Sequence, residues 1–154
     1  MQAYEIRQAT SADCDDVCKL AFALFSELFP GAYAYDRLRP VVENVIAQNK
    51  DVFSFIARFD GQAVGLIVLN QCTAIYALGT FGEITELFVD PRLRASGLGR
   101  KLIEKAVDFA HSRGWTMLEV GAPSVPKWQR TVDFYLRNGF EEVGPRLYRS
   151  FVEV

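Results

Sequence analysis

Residues 89–101 read VDPRLRASGLGRK, the most informative stretch of the sequence, in which a strand ends and a helix begins. The first N–H groups of a helix have no partner inside it and lie at the positive end of the helix dipole. Such a terminus binds anions, and Gly97 and Gly99 present no side chain that would block a phosphate oxygen. The stretch therefore predicts a phosphate-binding loop.

Basic side chains cluster at the same end of this helix, although the formal net charge of the chain is −2. The cluster comprises Arg92, Arg94, Arg100, Lys101 and Lys105, against Asp90 and Glu104. Neither of two common phosphate loops fits. The chain lacks the Gly-Lys-Ser/Thr ending of a P-loop. A dinucleotide fingerprint has three glycines after the first strand of its sheet, whereas this loop has two glycines and lies about two-thirds along the chain. A glycine-permitted turn beside a solvated basic face is the alternative interpretation.

On both sides of the loop, apolar periodicity predicts strands and helices along the whole chain. The predicted strands are 2–8, 52–59, 63–78, 83–90, 116–122, 140–144 and 147–152. The predicted helices begin at Thr10 or Ser11 and end at Leu28, run over 36–49, run from 97–99 to Gly114, and run over 127–138. A turn is expected at 79–82. The order βααβββαβαββ predicts an α/β (α+β) fold of three layers, with a parallel crossover over 83–121.

Composition excludes several classes of protein. The chain has 154 residues, of which 50% are hydrophobic and 23% charged, so a single globular domain over 1–154 is expected. Charged or strongly polar residues interrupt every apolar stretch well short of the roughly 18 residues of a membrane span. The near-neutral charge argues against a nucleic-acid partner. Cys14, Cys18 and Cys72 with a single histidine form no metal-binding motif, and Glu5 interrupts any secretory signal, so a cytoplasmic location is expected.

The sequence resembles the GNAT N-acetyltransferases. Residues 94–99, RASGLG, match the Arg/Gln-x-x-Gly-x-Gly/Ala loop of that family, ITELFVDP resembles its preceding strand, and FYLRNGF over 134–140 resembles its later helix end. The resemblance implies a mixed, mostly antiparallel twisted sheet with helices on both faces, and acetyl-CoA as co-substrate without a metal. It also implies that pantetheine runs beside Phe88 and Val89. The pyrophosphate would lie on the backbone of Arg94, Ala95, Ser96, Gly97, Leu98, Gly99 and Arg100.

Acetyl transfer to an amine needs a group that removes a proton from the ammonium, a donor for the oxyanion and a proton for the leaving thiolate. The resemblance places Tyr135 near the thioester sulfur, where a phenol could supply the last proton. A packed aromatic on a helix face is the alternative. Glu83 and Glu86, on the strand before the loop, are the candidate bases. Strand alternation predicts that they point to opposite faces, and Glu86 is favoured because Ile84 and Phe88 would flank it on one face.

The expected reaction is therefore direct attack by a primary amine of a small molecule on acetyl-CoA in a ternary complex. The alternatives are acetylation of a protein lysine or N-terminus, and a non-catalytic module that binds CoA for regulation. Family members are frequently dimers, and an exposed final strand over 147–152 could pair with a second copy, so a homodimer is one expected assembly. Nothing in the sequence specifies which amine accepts the acetyl group.

Overall fold

The computed structural model describes residues 3–152, so residue 2 of the predicted first strand lies outside the described residues. The strands are β1 (Glu5–Gln8), β2 (Val52–Phe59), β3 (Gln62–Ala74), β4 (Gly79–Val89) and β5 (Leu118–Val120). The helices are α1 (Cys14–Leu28), α2 (Tyr35–Ala47), α3 (Leu98–Ser112) and α4 (Gln129–Arg137). The chain forms two compact units, the first ending at Glu119 and the second beginning at Val120.

One mixed sheet has the strand order β1-β2-β3-β4-β5. The first four strands pair antiparallel with their neighbours. The hydrogen bonds beside β5 advance in the same direction on both strands, because Thr116 N donates to Thr80 O at 3.0 Å and Gly82 N donates to Met117 O at 3.0 Å. β4 and β5 are therefore parallel. The predicted mixed, mostly antiparallel sheet is confirmed, and the predicted parallel crossover is the β4–α3–β5 connection.

Helices cover both faces of this sheet within the first unit. On one face, α1 and α2 pack on Ile56, Leu66, Val68 and Phe88, all buried. On the other face, Phe109 of α3 contacts the rings of Phe53 and Phe55 at 4.7 and 5.2 Å between centroids. Gly65 of β3 lets α3 approach closely, since a Cβ there would lie 3.2 Å from Leu102 Cδ1. The predicted three-layer arrangement is confirmed in this unit.

The turn between β3 and β4 lies four residues earlier than predicted. β3 ends at Ala74 and β4 begins at Gly79, so residues 75–78 form the turn, with Leu78 at φ 58°. The glycine that suggested the later turn, Gly82, has a packing role instead. A Cβ at Gly82 would lie 2.4 Å from Trp115 Cζ3, so only glycine admits this ring against β4. A glycine can therefore mark either a turn or a close approach, and the sequence does not tell them apart.

The second unit contains α4, as predicted, but not the two predicted final strands. Residues 140–152 form no strand in the part of the chain that the structure describes. The large apolar side chains of residues 143–152 are exposed, with Val143 at 93% and Leu147 at 89% of full exposure. Apolar spacing alone led to this prediction, whereas a strand also requires a neighbouring backbone with which to exchange hydrogen bonds. The predictions over 140–144 and 147–152 are therefore wrong in this structure.

Candidate active site

The loop between β4 and α3 is a tight, internally bonded turn. The Asp90 carboxylate accepts from Arg92 N at 2.9 Å and so caps the short 3-10 turn at Pro91–Leu93. Ala95 and Gly97 then adopt positive φ values of 67° and 91°, which direct the chain into α3. Gly97 is the residue before the helix, and its left-handed conformation is one that glycine adopts without strain.

This turn leaves a group of backbone donors at the start of α3. The N–H groups of Leu93 and Ser96 donate to Asp90 O and Leu93 O at 2.8 and 3.2 Å. Within residues 3–152, by contrast, no protein oxygen accepts from five other amides of the loop and first helical turn. These are the N–H groups of Ala95, Gly97, Leu98, Gly99 and Arg100. Such a set at a helix N-terminus fits an anion with several oxygens, such as a diphosphate.

Two side chains of the loop hold it to distant segments of the first unit. The Arg94 guanidinium donates to Glu27 Oε1 of α1 at 2.7 Å and to the Val89 carbonyl at 3.1 Å. Ser96 Oγ accepts from the Tyr4 hydroxyl at 3.1 Å. No local sequence pattern marks Glu27 or Tyr4, because they lie 67 and 92 positions from their partners.

The basic cluster around the loop is only partly neutralised. Arg92 pairs with Asp90 at 2.8 Å, and Arg100 pairs with Glu104 at 3.1 Å. Lys101 and Lys105 lie over aromatic rings, with their ammonium nitrogens 5.1 Å from the Tyr4 centroid and 5.6 Å from the Phe55 centroid. Neither lysine has a carboxylate partner in the region that the structure covers, residues 3–152. Their positive charge therefore adds to that of the helix terminus.

Phe88 and Val89, predicted to lie beside pantetheine, form the end of β4 that enters the loop. The Phe88 side chain is buried in the core beneath α1 and α2. The Arg94 guanidinium carbon lies 5.6 Å from the centroid of its ring. Val89 is half-buried and pairs with Gly65 of β3. The strand end, the loop and α1 are thus connected through a single arginine.

Glu83 and Glu86 lie on the same face of β4, which corrects the prediction from strand alternation. Glu83 pairs with Asn70 of β3, and Glu86 pairs with Val68. Asn70 and Val68 are two residues apart on a regular stretch, so their side chains and those of their partners share a face. The register shifts between these pairs, and Thr85 is the extra residue of a β-bulge. Ile84, which pairs with Leu69, therefore lies on the opposite face from Glu86 and does not flank it.

The Glu86 carboxyl is half-buried, and burial raises its pKa above the ordinary value for glutamate. A hydrogen bond from the Thr85 hydroxyl, 2.6 Å from Glu86 Oε1, acts in the opposite direction. The negative charge of Glu83 raises the pKa further. A carboxyl in this position accepts a proton more readily than an exposed glutamate, which suits a general base.

Tyr135, the predicted acid, lies on α4 in the second unit. Its side chain is buried, and its ring contacts those of Phe134 and Phe140 at 5.5 Å between centroids. Burial raises the pKa of Tyr135 to about 12. The phenol therefore keeps its proton throughout the neutral pH range, where it can act as a proton donor but not as a base.

Two further side-chain contacts of the first unit involve the β3–β4 turn and the end of α1. The Tyr76 hydroxyl donates to Glu119 Oε1 at 2.6 Å. Phe25 and Tyr33 stack at 4.7 Å between centroids.

No grouping of three or more histidine, cysteine, aspartate or glutamate side chains suited to a metal occurs within residues 3–152. None of the helices in that range has the length and apolar character needed to cross a bilayer.

Comparison with known proteins gives a consistent family and fold. The sequence profile of the acetyltransferase (GNAT) family matches residues 16–140. An uncharacterized N-acetyltransferase of Methanocaldococcus jannaschii is 31% identical over 145 residues, which cover 92% of this chain but only 62% of the relative, less than two thirds of its length. An aminoalkylphosphonate N-acetyltransferase of Salmonella typhimurium is 30% identical over 143 residues, covering 92% of this chain and 88% of the relative.

The solved structures agree in fold. An aminoglycoside N-acetyltransferase in complex with CoA superposes with a TM-score of 0.79 at 21% identity, covering 99% of this chain and 97% of the other. Identity at this level shows a shared architecture and no more.

Proposed function

Because this chain belongs to the acetyltransferase (GNAT) family, whose profile spans residues 16–140, we propose that it transfers the acetyl group of acetyl-CoA to a primary amine of a small molecule. The family is one of acyltransferases, as the sequence predicts. The amine would attack the thioester directly while both substrates are bound. The family profile extends across the boundary between Glu119 and Val120, so we propose that residues 1–154 act as one N-acetyltransferase domain.

The observation that carries the proposal is the set of backbone donors at the start of α3. The N–H groups of Ala95 and of residues 97–100 have no acceptor within residues 3–152, and Lys101 and Lys105 add positive charge beside them. Two phosphates linked together carry several anionic oxygens, which need this number and direction of donors. Arg94 and Ser96 would keep the loop in shape through Glu27 and Tyr4 rather than by contact with phosphate.

When bound, acetyl-CoA supplies an acetyl group activated as a thioester. An alkyl ammonium has a pKa of about 10 and no lone pair, so the acceptor must lose a proton before it can attack. Glu86 is the proposed base, since its carboxyl is half-buried and its pKa is raised by that burial. Glu83, on the same face, would hold the positive charge of the approaching ammonium.

Tyr135 is the proposed acid. A buried phenol whose pKa is raised to about 12 remains protonated at every pH at which the enzyme is expected to work. It would donate that proton to the thiolate of CoA as the acetyl group leaves, a role that requires a hydroxyl and not only an aromatic ring.

The class of acceptor is proposed from the names of the relatives. One relative is an aminoalkylphosphonate N-acetyltransferase, and a structural neighbour is an aminoglycoside N-acetyltransferase. Both names describe small molecules with primary amines. Glu83 and Glu86 on one face would favour a cationic acceptor over a neutral one. A cytoplasmic location and a homodimer stay predictions from the sequence.

The experiment that tests this function measures release of the CoA thiol from acetyl-CoA over a panel of amines. The panel contains aminoalkylphosphonates, aminoglycosides, polyamines, amino acids and peptides with a free lysine or N-terminus. Turnover with a small amine is the expected result. Turnover with peptides alone would overturn the small-molecule assignment, and calorimetric binding of CoA without turnover on any amine would favour a regulatory module.

A further inference from the structure

We propose that Thr85 is a positioning residue, whose hydroxyl holds the Glu86 carboxylate by one oxygen and leaves the other oxygen for the acceptor ammonium. The inference rests on the proposed function, in which Glu86 is the base, and it adds a residue that the loop and helix motifs of the sequence do not mark. Thr85 lies between the two candidate glutamates on β4, at the residue that has no partner on β3.

The bulge brings two side chains together that a regular strand keeps apart. Successive residues of a strand point to opposite faces, so the side chains of residues 85 and 86 would not meet. In β4, Leu69 pairs with Ile84 and Val68 pairs with Glu86, which leaves Thr85 as the extra residue. Its hydroxyl lies 2.6 Å from Glu86 Oε1 as a result. The contact therefore depends on the bulge and not on sequence adjacency.

The distances show to which acceptor the Thr85 hydroxyl donates. Thr85 Oγ1 lies 3.4 Å from the Val68 carbonyl and 2.6 Å from Glu86 Oε1. A hydroxyl has one proton to give, and a short bond to a carboxylate is the stronger of the two. Within residues 3–152, no other group donates to Glu86. One oxygen of the carboxylate is thus fixed, and the second has no protein donor in that range.

The electrostatic surroundings give this bond a consequence for proton transfer. Burial and the Glu83 charge both raise the pKa of Glu86, whereas the Thr85 hydroxyl lowers it because it stabilises the charged form. Arg94 lies over the ring of the neighbouring Phe88 and is paired with Glu27 on α1, and the charge of Glu119 acts on Cys72 together with that of Glu83. Asn70 on β3, opposite Glu83, is neutral. Loss of the Thr85 donor would therefore leave Glu86 protonated to a higher pH.

The test follows the Glu86 side-chain carboxyl by carbon-13 NMR in the full chain, with Glu86→Gln to assign its signal. We expect Thr85→Val to raise the titration midpoint by about one pH unit, the size expected from one hydrogen bond to a charged group. Thr85→Ser, which keeps the hydroxyl, should titrate as the wild type does. Thr85→Ala repeats the test without added bulk if Thr85→Val fails to fold. An unchanged midpoint in a folded variant without the hydroxyl would overturn the inference.

Kinetics separates this inference from the proposed function. With an amine that is turned over, Thr85→Val should move the acid limb of kcat/KM towards higher pH and leave the KM for acetyl-CoA unchanged. A shifted NMR midpoint in a chain that acetylates no amine would retain the Thr85–Glu86 relationship and reject the function. If the acid limb of kcat/KM did not move in Thr85→Val with an amine that is turned over, the positioning role of Thr85 would be rejected and the proposed function retained.

Discussion

Glu83 and Glu86, three residues apart in sequence, lie on the same face of β4. Their partners on β3, Asn70 and Val68, are two residues apart, and the bulge at Thr85 accounts for the difference. Two carboxylates on one face can act on the same ligand, one by binding a positive charge and the other by accepting a proton. The two residues are therefore expected to have different effects when each is neutralised.

Neutralising Glu86 should remove the base. An unprotonated Glu86 is the active form, so kcat/KM of the wild type should rise with pH through a pKa above the ordinary glutamate value. We expect Glu86→Gln to lower kcat about 100-fold at neutral pH and to abolish this acid limb. The measurement is the pH dependence of kcat/KM with saturating acetyl-CoA.

Glu83→Gln is the matched comparison, since it removes the same charge three residues away. The negative charge of Glu83 raises the pKa of Glu86. Loss of that charge should therefore move the acid limb of kcat/KM to lower pH, while the limb itself persists. If the acid limb disappeared in Glu83→Gln and persisted in Glu86→Gln, Glu83 would be the base and Glu86 would bind the ammonium.

A side chain at Gly97 should weaken binding of CoA. Gly97 has φ 91° with open space around its missing Cβ, so Gly97→Ala strains the backbone without a steric clash. We expect a loss of about 1 kcal/mol of folding stability and a clear loss of CoA affinity by calorimetry. Gly61→Ala, in the β2–β3 turn at φ 80° with the same open space, is the matched control. It should lose similar stability and bind CoA normally.

Removing the Tyr135 hydroxyl should slow turnover and spare cofactor binding. We expect Tyr135→Phe to lower kcat about 100-fold with an unchanged Kd for CoA. The acid form is the active one, and a pKa of about 12 means that wild-type kcat should not fall on the alkaline side below about pH 10 through this group. Tyr148→Phe, an exposed position in the same unit, is the control. An unchanged kcat in Tyr135→Phe would contradict the proposed acid role and leave Tyr135 with a packing role alone.

The buried Asp13 should matter for stability rather than for catalysis. Its carboxylate accepts from Arg7 at 2.7 and 3.0 Å and from Arg58 at 2.8 Å. The Arg7 hydrogen bonds hold the pKa of Asp13 well below its usual range. Its contribution is therefore complete at neutral pH and is lost as the pH falls through that lowered pKa.

We expect Asp13→Asn to cost about 2 kcal/mol at pH 7, measured by urea unfolding, and to flatten the loss of stability below about pH 4. Asp15→Asn, at a mostly exposed position on the next turn, should change stability by less than about 0.5 kcal/mol. Equal losses in the two variants would contradict a special role for Asp13.

The parts of the fold that follow local rules could be predicted from the sequence. The glycine loop and the start of α3 follow from residues 89–101, and the observed bounds of α2 differ from the predicted ones by at most two residues. The bulge at Thr85 could not be found, because alternation assumes an uninterrupted ladder. The pairing of Arg94 with Glu27 depends on the folded arrangement of distant segments. The final strands were predicted from apolar spacing, which contains no information about a hydrogen-bonding partner.

We propose that the amides at the start of α3 bind the diphosphate of CoA. Amide NMR of the uniformly nitrogen-15-labelled chain tests it directly, with CoA added in one titration and pantetheine in another. We predict large shifts for Ala95, Gly97, Leu98, Gly99 and Arg100 with CoA, and little change at these positions with pantetheine. CoA that binds while these five signals stay in place would contradict the account.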